Sequence, residues 1–227
     1  MKQFRFFTVL APIIVVLAIA AINGCSNQTD RINNPQSRDA EFAEGNMGPP
    51  EIGVKGDNNS TALAAKHLSL SWPFYNWTSS NGWTDYTTQS STHVGADQYS
   101  HDLSRANCEC IGIYAGISGQ VVQAISPNNW NGGYGGTVVI YDWNRHVAVR
   151  YSHMRYINVY KGQWVNFRQY LGQLGHTGYC VPTRPGSTGA HLHITAYENI
   201  DHFSGGYPVI PTSRDSEHYS CMIDWIF

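Results

Sequence analysis

Charge is scarce in this 227-residue chain: Asp, Glu, Lys and Arg together make up 13% of it, with a formal net charge of −2. Neither sign forms a long block, which excludes a nucleic-acid binder working through a broad basic surface. The glycine-rich run at 131–136 lacks the lysine of a phosphate-binding loop. Sustained helical periodicity with caps is also missing, which excludes a helical bundle. Glycine at 22 and proline at 10 are too few for a collagen-like or low-complexity chain. Trp and Tyr are missing from one region only: none of the seven Trp or fourteen Tyr precedes Trp72. A packed domain is expected to begin close to that point.

What precedes it divides in two. Lys2 and Arg5 lead into an apolar run from Phe6 to Ile22, which ends in Asn23-Gly24-Cys25. The run is shorter than the roughly 20 residues of a membrane span and has the form of a signal peptide, so residues 1–24 are expected to direct export. They resemble a bacterial lipoprotein signal, in which Cys25 is lipidated and anchors the chain to the membrane; Asn23 departs from the usual small or apolar residue. An uncleaved anchor and ordinary secretion are the alternatives. Residues 25–66 are polar, with Phe42 as their one aromatic, and are expected to form a flexible tether. A coil of that length spans roughly 35–40 Å, and a short helix is conceivable at Thr61 to His67. Residues 67–227 remain as the domain.

Within it, residues 119–124, 137–143 and 146–153 are β-branched and aromatic runs bounded by turn-forming stretches. The last two, separated by Asn144-Arg145, read as a hairpin. The expected fold is mainly β, an antiparallel sheet with a groove lined by loops.

Ten histidines are the places where chemistry could reside. His191 and His193 alternate along an expected strand, so both point to one face about 6.6 Å apart. His93 and Asp97 stand four apart in His93-Val94-Gly95-Ala96-Asp97. Two imidazoles and a carboxylate form a donor set that suits zinc and leaves a fourth position for water. Chance supplies about 0.4 matches to each of these spacings in such a chain, so spacing alone decides little.

Context decides more. Trp72-Pro73, HVGAD at 93–97, IGIYAGISGQVV at 111–122, GGTVVIYDW, YSHM at 151–154, VYKGQWV at 159–165, LGQLGHTG at 171–178 and STGAHLHI at 187–194 follow one another in an order that resembles the lysostaphin-type, LytM-like zinc metallopeptidases. The resemblance covers residues 71–199. It implies one Zn²⁺ bound by His93, Asp97 and His193, and two catalytic histidines, His153 and His191. His191 would take a proton from the attacking water. His153, on the same face as Val147, Val149 and Tyr151 if its strand alternates regularly, would donate to the oxyanion. It further implies a metalloendopeptidase hydrolysing peptide bonds in peptidoglycan cross-links or bridges. Such an enzyme would be lipid-anchored in the cell envelope, at the periplasmic face of the outer membrane if the cell is Gram-negative.

Three other readings stand beside it: a protease of extracellular glycine-rich proteins, a non-catalytic regulator that partners other cell-wall hydrolases, and a sugar-binding β module. His67, His101, His146, His176, His202 and His218 match no motif position and are expected at the surface. A supporting role for His101 and Asp102 near the site is conceivable, and Tyr151 is expected to pack. The stretches Tyr99 to Cys110 and Tyr179 to Gly186 are longer than the family's usual links, and Ala190 stands where proline is common. Export favours disulfides. If Cys25 is lipidated, Cys108, Cys110, Cys180 and Cys221 remain and three pairings are open; Cys180–Cys221 would pin the C-terminal tail and leave Cys108–Cys110.

Overall fold

The computed structural model describes residues 67–75, 82–86, 91–182, 185–215 and 220–227. The signal segment, the tether and Cys25 lie outside them. So does the helix expected at Thr61 to His67, except for His67, which begins a strand. Among the described residues the only helical pieces are two short 3-10 turns, Gly95–Asp97 and Asn131–Gly133. No described helix is long and apolar enough to cross a membrane.

The strands are β1 (His67–Ser71), β2 (Thr84–Asp85), β3 (His101–Ser104), β4 (Gly112–Tyr114), β5 (Gly119–Ile125), β6 (Gly136–Asp142) and β7 (Val147–Ile157). They continue with β8 (Trp164–Val165), β9 (Tyr170–Leu174), β10 (Leu192–Tyr197), β11 (Phe203–Ser204), β12 (Tyr207–Pro208) and β13 (Ser220–Ile226). The three runs predicted from β-branched and aromatic content are β5, β6 and β7, and the hairpin joins the last two. Eleven strands form one sheet with the spine β1-β13-β10-β7-β6-β5-β8; β3 branches from β10 and β9 from β7. The mainly β, antiparallel expectation describes this sheet except at one edge, where β1 and β13 run parallel.

Alternation along β10 sorts its side chains between two faces. Leu192, Ile194 and Ala196 enter the larger core with Val138, Ile140, Val149, Tyr151 and Trp72. Burying a side chain the size of Leu192 or Ile194 contributes about 1.5–3 kcal/mol. Tyr197 joins the smaller core on the other face with Val139, Tyr141 and Ala148, and His193 and Thr195 share its parity. Tyr151 is fully buried and its hydroxyl accepts from Gly116 N at 2.7 Å, so it packs, as expected.

Regular alternation would send His153 into the larger core beside Tyr151, and it does not go there. Val138 pairs with Tyr151 but Gly136 pairs with Met154, so β7 carries one extra residue here. His153 takes it up with a φ of 63°, the left-handed region that costs a non-glycine residue about 1–3 kcal/mol. The bulge turns the imidazole away from the Tyr151 face and toward His191 and His193, with ring centroids 4.5 and 5.8 Å away. The expectation that His153 shares the face of Val147, Val149 and Tyr151 is thereby corrected.

Candidate metal centre

Strand pairing builds the site. β10 lies between β3 and β7, and its register sets His193 opposite Asp102 on one side and Ser152 on the other. Asp102 thus comes to His193 by cross-strand pairing. Its Oδ1 lies 2.9 Å from His193 Nδ1, 3.2 Å from His93 Nε2 and 3.6 Å from His191 Nε2. His93, Asp102 and His193 each offer a donor atom within 4.8 Å of the others. A tetrahedral zinc with bonds of 2.0–2.2 Å sets neighbouring donors about 3.4 Å apart, so the chemistry and spacing of this trio fit the ion.

Electrostatics point the same way. Burial alone would raise the Asp102 carboxyl, but hydrogen bonds to His193 and His93 hold it far below the usual carboxylate range. Burial alone would lower His193, yet Asp102 and Asp97 raise it to about 9. An anionic field strong enough to keep a proton on a buried imidazole also attracts a metal cation.

Asp97, expected in the metal set, stands outside this trio. Gly95 (φ 56°) turns the chain tightly, and a Cβ there would come within 2.3 Å of Asp215 O, so only glycine permits the approach. The turn drives Asp97 inward to 1% exposure. Its Oδ2 accepts from the Tyr134 hydroxyl, its Oδ1 accepts from Tyr197 at 2.6 Å, and Arg150 Nη1 lies 3.6 Å from Oδ1. Burial raises the carboxyl, but His193 and Arg150 bring it to about 2. Asp97 meets His193 from behind, Oδ2 to Nε2 at 3.8 Å, while Asp102 meets it from the front. Its oxygens thus face two phenols, a guanidinium and the far side of the His193 ring.

His153 and His191 complete the cluster. His153 Nδ1 donates to Thr177 O and His191 Nδ1 donates to Gly189 O, each at 2.8 Å. A carbonyl partner fixes the tautomer of the neutral ring, leaving both Nε2 lone pairs open. Burial, reinforced by neighbouring imidazoles, holds His153 well below the ordinary histidine value, and burial lowers His191 as well. Both are therefore neutral bases near neutral pH.

Asp102 is the residue for which sequence offers least reason, since a one-residue shift in the β3–β10 register would remove it from His193. Cys180 is a second surprise: it forms a group with His153 and His191, all donor atoms within 4.8 Å. Neither expected disulfide forms, because Cys108, Cys180 and Cys221 all remain thiols. Cys108 is buried with its Sγ toward Ala190 O at 3.2 Å, Cys221 is buried in β13, and Cys180 lies against Thr177 O. His101, expected at the surface, is buried with Nδ1 2.7 Å from Asp85 Oδ2.

In this β domain imidazoles and a carboxylate that could hold a metal ion converge beside two neutral histidines. Residues 103–204 match the model of peptidase family M23. No curated protein matches the chain. Among solved structures it is similar to lysostaphin from Staphylococcus simulans, at 25% identity and TM-score 0.39 over 58% of this chain and 48% of that one. The lysostaphin catalytic domain aligns at 24% identity and TM-score 0.40, over 58% of this chain and 91% of that one. A zinc-containing peptidase from Vibrio cholerae aligns at 24% and 0.35, over 48% and 28%. The chain thus spans less than half the length of the full-length lysostaphin and Vibrio proteins.

Proposed function

We propose that this chain is a zinc-dependent endopeptidase that cleaves peptide bonds in peptidoglycan cross-links or bridges. His93, Asp102 and His193 hold the ion, and His153 and His191 act as its catalytic bases. The observation that carries this reading is the convergence of His93 Nε2, His193 Nδ1 and His191 Nε2 within 3.6 Å of one carboxylate oxygen, Asp102 Oδ1. Zinc held there supplies Lewis acidity and an acidified water at neutral pH. His191 Nε2 accepts the proton of the attacking water, and the imidazolium returns it to the departing amine nitrogen. His153, whose Nδ1–H is committed to Thr177 O, is also a base at Nε2, and contributes to oxyanion stabilisation only once protonated there. Tyr134, Tyr197 and Arg150 orient His193 through Asp97. The amino-terminal pattern supports export and lipid attachment at Cys25, which would hold the enzyme at the envelope beside its substrate.

The test is digestion of purified sacculi by the zinc-loaded full chain, next to Asp102→Ala and His191→Ala. The expected result is release of muropeptides with new amino termini, abolished by a chelator and by both substitutions. Cleavage of glycine-rich protein but not sacculi would redirect the substrate. A folded, zinc-bound chain that cuts neither would favour a regulator of other hydrolases.

A further inference from the structure

Cys180 is not part of the machinery just described, yet it lies within ligand distance of both catalytic imidazoles. We infer that His153, Cys180 and His191 form a second metal site, for a thiophilic divalent cation such as Zn²⁺, and that occupancy of this site silences the enzyme. The inference rests on the proposed roles of His153 and His191 for its regulatory consequence, though not for the site itself.

The donors are suitably prepared. Both imidazoles donate Nδ1–H to backbone carbonyls, the outer partner that metal-bound histidines ordinarily have, which leaves Nε2 as the ligating atom. A sulfur and two imidazole nitrogens are a zinc set with room for a fourth ligand. The loop that carries the thiol is pinned at both ends. At Gly178 (φ 76°) a Cβ would come within 2.2 Å of Gly133 O, and Tyr179 N donates to that same oxygen at 2.7 Å. At Gly189 (φ 75°) a Cβ would meet the Val181 carbonyl carbon at 2.9 Å. Without metal the thiol is a neutral neighbour, since burial and the nearby Asp102 push it up to about 12. Binding exchanges its proton for the ion: the S–H bond breaks, a metal–sulfur bond forms, and the proton leaves to solvent. Each Nε2 lone pair is then bound to metal, and neither histidine remains available as a base. Because His191 Nε2 is 3.6 Å from Asp102 Oδ1, this site adjoins the proposed catalytic one without sharing its ligands.

The experiment is a Co²⁺ titration of the metal-free, reduced full chain and its Cys180→Ser variant, followed by absorbance and by sacculus hydrolysis. Wild type is expected to bind two ions. The second alone should bring a sulfur-to-cobalt charge-transfer band, together with loss of the hydrolysis that the first conferred. Cys180→Ser should bind one ion without that band, and its inhibition should need at least about tenfold more metal, since even losing an outer-shell partner costs that much affinity. As a measure independent of the variant's folding, the second ion should protect Cys180 of the wild type from alkylation, read by mass spectrometry. A single ion in wild type, a band that persists in Cys180→Ser, or no protection of Cys180 would overturn the inference. If the spectra follow expectation but hydrolysis is absent throughout, the second site stands and the proposed function falls. A band arriving with the first ion would keep the Cys180 site and unseat the assignment of the tighter ion to His93, Asp102 and His193.

Discussion

His193 divides two regions that look alike in composition and differ in chemistry. Behind its ring Asp97 is enclosed by Tyr134, Tyr197 and Arg150, with the guanidinium 4.2 Å over the Tyr134 ring. In front of it Asp102 faces the imidazoles of His93, His191 and His193. The first carboxylate has fixed donors of known number; the second is surrounded by groups that trade a proton for a metal. Two aspartates five residues apart therefore have different partner sets. A buried charge with a guanidinium and phenols suits a structural anion, whereas one among imidazoles suits the ligand role proposed for Asp102.

The contrast is sharpest in substitution. Asp102→Ala should lose tight zinc binding and reduce hydrolysis to background, with metal content per chain as the check; a zinc-loaded, active variant would break the comparison. His191→Ala and His153→Ala should keep zinc and slow turnover by about 10²–10⁴-fold, the usual contribution of acid–base catalysis, measured as kcat at saturating substrate. Asp97→Asn should retain a metal stoichiometry like wild type while losing about 3–5 kcal/mol of stability, because Arg150 is left buried without its counter-charge. Denaturant unfolding measures this, and loss of zinc without loss of stability would move Asp97 back among the ligands.

The smallest effect is a pH dependence. Asp97 lies at about 2, below its ordinary 3.8, so its stabilisation is fully present above pH 3.8. It fades as pH falls through about 2, a change of about 2 kcal/mol. Acid titration of unfolding free energy should show this component in wild type and not in Asp97→Asn. The histidine pair has the same sign, since its lowered values favour the neutral form in the fold. The acid limb of kcat/KM should accordingly lie below pH 6.5.

The sheet was legible in the sequence because β5, β6 and β7 are long runs whose residue types suit a pleated surface. His93, His193, His153 and His191 stood out because their motifs follow one another in a familiar order, and the fold brings all four together. The carboxylate that joins them, Asp102, did not. His93-Val94-Gly95-Ala96-Asp97 offers a ligand-like spacing, but Gly95 tucks that segment against the 213–215 backbone and carries Asp97 to the rear of His193. Asp102 is brought forward by a register that only the assembled strands define. Alternation also misled at His153, where one inserted residue reverses the side of the strand. Cys180 belongs to a loop whose course depends on close backbone contacts at Gly178 and Gly189, and residue type alone says nothing of that.

The parallel pairing of β1 with β13 matters for how the domain bears a load. Five consecutive residue pairs, His67 with Met222 through Ser71 with Ile226, join the first described strand to the last. A pull directed along β1 from the chain ahead of His67 strains all five pairs at once in shear. An antiparallel hairpin pulled from its open end would instead unzip, its pairs separating in succession. The first described strand is thus arranged as a mechanical clamp, and the force needed to peel it away should exceed that needed for the hairpin of β6 and β7 pulled open.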